Sequence, residues 1–170
     1  SPILLFGQIT SNYSEINFDP VSIGNSDVIT VQVSSEIAQT LNFSVESPMY
    51  TISESSLEYD VDETKSLDIT FSPTEVGVHG AQLAIVGSVF GTLDLDISGE
   101  GTQVDIDLDV ASLDFGTVSL GQNDTRDIVI SNIGTGTMQV TNITTNNEQF
   151  SVETTSFDIG TSETATLVVT

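Results

Sequence analysis

The feature that most constrains this chain is an internal repeat. Residues 16–24, INFDPVSIG, align with residues 113–121, LDFGTVSLG, at an offset of 97 positions. The register runs without a gap from Ile16–Phe43 against Leu113–Val140, with identities at Phe18/Phe115, Val21/Val118, Ser22/Ser119, Gly24/Gly121, Asp27/Asp124, Ser34/Ser131 and Thr40/Thr137. A three-residue insertion then carries the offset to 100, where SLEYDVDETKSLDIT (56–70) aligns with SFDIGTSETATLVVT (156–170). Repetition of this kind decides architecture before any local reading does. The chain is expected to hold two copies of one unit.

Within each copy the apolar residues alternate. Val31 and Val33, Leu67, Ile69 and Phe71, Leu93, Leu95 and Ile97, and Val104, Ile106, Leu108 and Val110 each take every second place. A period of two puts one face of a strand in a core and the other in water. Clusters of Gly, Asn, Asp, Ser and Pro separate the runs, as at 23–26, 72–77 and 132–136. No helical period is present, so the expected fold class is all-β: tandem immunoglobulin-like antiparallel β-sandwiches of seven or so strands each. The second copy reaches Thr170 where the first continues into Phe71. The equivalents of Phe71–Gly101 are therefore expected to be missing, leaving the second sandwich incomplete at its C-terminus, without its last two strands. PILLFGQ resembles the strand and glycine exit LDLDISGEG (93–101). The expected organisation is residues 1–7 as the last strand of a preceding repeat, 8–101 as a complete sandwich and 102–170 as the shortened one.

The order of these signals resembles the Ig-like domains of the ASPM, SPD-2 and Hydin type, related in fold to the major sperm protein and found in bacterial surface and secreted repeat proteins. The matching stretches are LDFGTVSLGQNDTRDIVISNIGTG (113–136), FSPTEVGVHGAQLAI (71–85) and the exit ISGEGT (97–102). In the first, Leu113 and Phe115 are expected to face inward, and Gly116 and Gly121 to permit tight or left-handed backbone. In the second, Pro73 lacks the donor that a continuing ladder needs and Gly77 closes a turn. The first copy departs from the pattern, with Asp19-Pro20 where the second has Gly116-Thr117, and Ser34-Ser35 in place of Ser131-Asn132. The absence of Trp and Cys argues against an antibody-type domain. What the resemblance implies is a fold and a repeat, not a chemistry.

Charge narrows the partners. With 25 acidic residues against 2 basic ones, the formal net charge is -23. Such a field repels nucleic acid and anionic membrane surfaces and keeps the chain soluble. No apolar run reaches the roughly 18 residues a membrane span needs, so direct membrane insertion is not expected. Apolar residues at 38% suffice for a core, so dispersed acid reads as a solvated surface rather than as disorder.

Catalysis finds little support. His79 is the single histidine and no G-x-S-x-G elbow occurs, so neither a nucleophilic triad nor a zinc site with two histidines can be drawn. His79, in GVHGAQL, is expected to be a surface or half-buried strand residue. Calcium is the candidate cofactor, because hard cations collect several oxygens. Asp94 and Asp96 alternate along one strand that leads into Glu100, and Asp105, Asp107 and Asp109 along the next. Asp96, Glu100, Asp105 and Asp107 form the candidate Ca²⁺ set at the interdomain junction, against the plainer reading of a solvated acidic face. Four N-x-S/T sequons, at Asn12, Asn42, Asn123 and Asn142, are near what Ser/Thr abundance produces by chance. The single lysine, Lys65, is expected to point outward between Thr64 and Ser66, away from any Asn cross-link. Tyr13, Tyr50 and Tyr59 are expected in the core or at its rim.

The expected function is a non-catalytic structural repeat, a stalk, filament or adhesin scaffold of a cell-surface or secreted protein. Its partners would be neighbouring repeats of the same or like chains. The alternative is a module that binds a surface protein or a glycan through loops or an exposed edge strand. A ciliary or cytoskeletal role ranks below both, because acidic tubulin would repel this chain.

Overall fold

The alternating runs become strands except the last, which is strand only at Ile106–Leu108 and leaves Val104, Ile106 and Leu108 exposed instead of facing a core as expected. The computed structural model describes residues 8–170, and the strand expected in residues 1–7 lies outside them. The chain divides into two compact units, Ser1–Gly101 and Thr102–Thr170. No helix long and apolar enough to cross a membrane occurs among the described residues.

Among the described residues, unit 1 carries ten strands in two sheets. The first sheet has the order β1-β4-β8-β6: β1 (Ile9–Ser11), β4 (Asp27–Ser35), β8 (Glu63–Phe71) and β6 (Tyr50–Ile52). The second has the order β2-β10-β9-β5-β7: β2 (Glu15–Asn17), β10 (Thr92–Thr102), β9 (Gly77–Gly87), β5 (Gln39–Val45) and β7 (Ser56–Tyr59). A further strand, β3 (Val21–Ser22), also pairs with β10. Ten strands appear where seven or so were expected because the N-terminal run breaks into short pieces. β1 joins the first sheet, then β2 crosses to the second and pairs parallel with β10. β1, β2, β3 and β6 are only two or three residues long, which leaves short edges.

The inward faces of both sheets close on one core. Val31, Val33, Leu67, Ile69 and Phe71 from the first meet Leu41, Leu83, Ile85, Leu95 and Ile97 from the second, all buried. An aromatic cluster fills one end, with Tyr50 stacked on Phe71 at 4.8 Å and Phe18 tilted against Phe71 at 5.5 Å. This cluster explains the glycine exit. A Cβ on Gly99 would stand 2.6 Å from the Phe71 ring, and one on Gly101 would stand 2.1 Å from the Glu75 carbonyl oxygen. Only a residue without a side chain lets β10 run so close to its neighbours. β8 ends at Phe71; the Ser72 N–H carries its pairing with β6 one bond further, to the Met49 carbonyl, before Pro73, which has no N–H to donate.

Unit 2 has two sheets. One is β11-β12-β15: β11 (Ile106–Leu108), β12 (Arg126–Asn132) and β15 (Thr164–Val169). The other pairs β13 (Met138–Val140) with β14 (Phe157–Ile159). The registers of the first sheet follow those of unit 1. Ile9 opposes Ser35 as Ile106 opposes Asn132, and Val31 opposes Leu67 as Ile128 opposes Leu167. The lone bridge Val152↔Val169 stands where unit 1 pairs Ile52 with Ile69. Two turns also agree: Gly24 and Gly121 both have positive φ, at 86° and 79°, and so do Asp62 and Ser162, at 59° and 61°.

Two further expectations need correction. The inserted residues do not all follow Phe43/Val140. Gln39 opposes Tyr59 in unit 1, whereas Met138 opposes Ile159 in unit 2, so the connection after the first long strand has grown from residues 36–38 to residues 133–137. Thr40 and Thr137 are therefore not equivalent. A shift of two keeps every side chain on its original face, so the sequence alternation could not register it. Asn132 stabilises the longer turn: its amide donates to the Gly136 carbonyl at 2.7 Å and the Ile159 carbonyl at 3.0 Å, and its Oδ1 accepts from the Gly134 N–H. The second correction concerns Lys65, which shares the parity of Leu67, Ile69 and Phe71 and is half-buried rather than outward.

Candidate binding surfaces

At the end of unit 1 where β4 turns into β5, a polar hollow is lined by Gln39, Thr40, Glu58, Tyr59, Asp60, Glu63, Lys65 and Ser88. Lys65 reaches into it along the inward face of β8. Its ammonium donates to the Glu58 carbonyl, lies 3.3 Å from the Glu63 carboxylate and sits 5.5 Å from the centroid of the Tyr59 ring. The Glu63 carboxylate accepts from the Asp60 N–H, which with Lys65 holds it below the usual carboxylate range. Burial, with the nearby Glu63 charge, pushes the Tyr59 hydroxyl up to about 12. That hydroxyl is buried with no hydrogen-bond partner, a cost that a polar group normally avoids.

Gln39 links this hollow to the β9–β10 turn. It is buried; its Oε1 accepts from the Val89 and Phe90 N–H groups at 3.2 and 3.1 Å, and its Nε2 donates to Ser35 Oγ. The turn so fixed presents Val89 and Phe90 to solvent, 70% and 58% exposed. Sequence reasoning missed these residues. The signal was there in SVFG (88–91), where two large apolar residues precede a glycine in a turn; Gly91 has φ 95°.

Unit 2 offers a different surface. Side chains that unit 1 buries completely have half-exposed counterparts here: Ile16 against Leu113, Val31 against Ile128 and Ile69 against Val169. Val21 is 8% exposed and Val118 is 41% exposed. Residues 112–124 form no strand, although Glu15–Asn17 and Val21–Ser22 do. Arg126 ties this segment down through its Nε–H to the Asp114 carbonyl and its guanidinium 5.5 Å from the Phe115 ring centroid. Gly116 and Gly121 both adopt positive φ, as their place in the motif predicts.

The acidic residues are placed as follows. Asp96 is exposed on β10, accepts from the Gln82 side chain at 3.2 Å and stands beside Glu15 in the parallel ladder. Glu100 is half-buried on the same strand, opposite Val78. Asp105 and Asp107 are exposed; the Asp105 carbonyl accepts from the Ile133 N–H, and Asp107 opposes Ser131. Asp109 instead caps the Val129 N–H at 2.8 Å. Within either unit, among the described residues, no group of three or more His, Asp or Glu side chains is placed to hold a metal ion. His79 is half-buried on β9, its Nε2 2.9 Å from the Glu75 carbonyl oxygen. The four sequon asparagines are all exposed.

Residues 104–170 match the family described as HYDIN/CFA65/VesB-like, Ig-like domain. None of the curated proteins is similar to the chain. Among solved structures, a protein of unknown function from Porphyromonas gingivalis W83 is 16% identical with a TM-score of 0.46, covering 95% of this chain and 81% of that one. The ASH/PapD-like domain 7 of human CEP192 is 13% identical with a TM-score of 0.46, over 55% of this chain and 84% of that one. The E. coli chaperone DraB is 9% identical with a TM-score of 0.45, over 95% and 86%.

Proposed function

Starting from residues 104–170 as a HYDIN/CFA65/VesB-like Ig-like domain, we propose that the chain is a stretch of a tandem array whose role is structural: a stalk, filament or adhesin scaffold on a cell surface or in a secreted protein. One observation carries this reading. The pairing registers of β11, β12 and β15 follow those of β1, β4 and β8, and the positive-φ turns at Asp62 and Ser162 agree as well. A domain repeated with its ladder intact supplies length and spacing, and an array of such domains interacts chiefly with its neighbours. Only Gln103–Asp105 separate β10 from β11. A net charge of -23 keeps neighbouring arrays apart.

Small-angle scattering on arrays of one, two and three complete units tests the reading. The maximum dimension is expected to grow in proportion to unit number; a dimension that stays nearly constant would overturn it. A second reading, a module that grips a surface protein, is favoured by the exposed Val89–Phe90 tip fixed by buried Gln39, since rigid aromatic anchors carry much of the energy of protein interfaces. Phe90→Ser should leave the scaffold dimension unchanged and abolish adhesion of coated beads to the native cell surface if that reading holds.

A further inference from the structure

Among the described residues, the Tyr59 hydroxyl is the one buried side-chain polar atom without a hydrogen bond, on a residue only 3% exposed. Leaving such a group unpaired costs stability, and native folds keep few of them. Tyr59 lines the polar hollow at the end of unit 1 where β4 turns into β5, and its hydroxyl lies close enough to Glu63 for that carboxylate's charge to act on it. The groups around it are only partly committed. Lys65 commits two of its three ammonium protons, to the Glu58 carbonyl and to Glu63. Ser88 Oγ accepts from the Thr40 N–H at 3.1 Å, which leaves the Ser88 proton to donate. Glu58 and Asp60, both exposed, add two more carboxylates to the wall. Gln39 by contrast is engaged at both ends of its amide, so it shapes the wall and holds the neighbouring turn.

We propose that this hollow binds a neutral polyhydroxy ligand, a sugar ring at the end of a glycan, with Tyr59 and Lys65 donating to its oxygens and Glu58, Asp60 and Glu63 accepting from its hydroxyls. Three carboxylates against one ammonium repel an anion. A cationic ligand would satisfy the carboxylates, yet it would stand beside the Lys65 ammonium and give the Tyr59 proton no acceptor. A sugar meets both needs, because each of its hydroxyls donates one hydrogen bond and accepts others. The hollow measures about 400 Å³, at the lower end of the range for small-ligand clefts. Phe90, 58% exposed, follows Ser88 by two residues in the turn that Gln39 holds, which brings an aromatic face to the rim for the C–H groups of a ring. The site stands apart from the scaffold reading and needs no protein partner at the Val89–Phe90 tip.

The test titrates the methyl glycosides of glucose, galactose, mannose and N-acetylglucosamine at millimolar concentration into the full chain, with glucosamine and glucuronic acid as charged controls. Amide chemical shifts read the binding. At least one neutral glycoside is expected to give saturable shifts at Glu58, Tyr59, Asp60 and Ser88. Tyr59→Phe should weaken that binding about two- to tenfold. The same variant should raise the urea midpoint of the sugar-free chain, since it deletes the unpartnered hydroxyl; a merely structural tyrosine would not split the two readouts this way. Glu58→Gln, at an exposed position that leaves the core untouched, should weaken binding by a similar factor. Shifts from none of the neutral glycosides would overturn the proposal, as would binding that Tyr59→Phe leaves as tight as before. Tighter saturation by glucosamine or glucuronic acid than by any neutral ring would assign the hollow to a charged ligand and overturn it too.

Discussion

Placing an alanine at each of three glycines of the β9–β10 ladder should cost stability in the order Gly80, Gly99, Gly101. All three lie in one antiparallel pair, Gly80 opposite Ser98, Gly99 opposite His79 and Gly101 opposite Gly77, so backbone context is nearly constant. What differs is the space. A Cβ at Gly80 meets nothing nearer than the Ile97 carbonyl oxygen at 3.9 Å, an ordinary contact. At Gly99 it meets the Phe71 ring at 2.6, 2.8 and 2.9 Å. That ring is fully buried and stacked on Tyr50 at 4.8 Å, so it can yield only by disturbing the aromatic cluster. At Gly101 the obstacle is the backbone carbonyl oxygen of Glu75 at 2.1 Å, which moves only if the whole Pro73–Glu75 turn moves. Gly80→Ala is expected to be neutral or slightly stabilising, since alanine narrows the unfolded ensemble by about 0.4–1 kcal/mol. Gly99→Ala should cost about 1–3 kcal/mol by overpacking, and Gly101→Ala at least as much. Adding Phe71→Leu should recover part of the Gly99→Ala loss and none of the Gly101→Ala loss, a coupling that a double-mutant cycle isolates. Urea unfolding followed by tyrosine fluorescence and far-UV circular dichroism reads all six variants, the three alanine singles, Phe71→Leu and the two doubles. Equal costs at Gly80 and Gly99, or no coupling between Gly99→Ala and Phe71→Leu, would refute the argument that close approach selects these glycines.

Further outcomes follow from other positions. Asn132→Ala should cost about 1–3 kcal/mol, because its removal orphans buried carbonyls in the turn before β13, and amide exchange at Gly134 should quicken. Asp62→Val and Ser162→Val should each cost about 1–2 kcal/mol, since a β-branched residue is poorly tolerated at φ near 60°, whereas Ser162→Gly should not. Tyr50 and Tyr59 both titrate near 12, above the usual 10, so the folded state holds their protons more tightly than the unfolded one. Their contribution is fully present below pH 10 and is lost as pH rises toward 12; urea midpoints should fall across that window, less steeply in Tyr50→Phe. Calorimetric titration with millimolar Ca²⁺ tests Asp96, Glu100, Asp105 and Asp107. A saturable heat with a rise in melting temperature would assign them a cation, and no heat would leave them a solvated acidic face.

Sequence and structure divide the remaining credit unevenly. In unit 1 alternation specified the core-facing Val31, Leu67, Ile69 and Leu95, because a period of two has only one solution once they must be buried, whereas the same period along Val104, Ile106 and Leu108 marked residues that are exposed. Likewise, Gly121 declared its positive φ by its place in a turn motif. The internal similarity was legible too, and its identity Gly24/Gly121 falls at positive φ in both units. Other features were decided only by tertiary contacts. The location of the inserted residues was hidden, since a two-residue slip preserves alternation. Lys65 was misplaced because its charge outweighed its parity; in the fold its stem follows the inward face while its ammonium finds Glu58, Glu63 and the Tyr59 ring at the rim. Gln39 gave no sign of being a buried clamp, since its partners Val89 and Phe90 lie 50 and 51 residues away. Local pattern reports which way a side chain faces; which partner meets it there depends on how distant strands are brought together, and that is settled only when both sheets close.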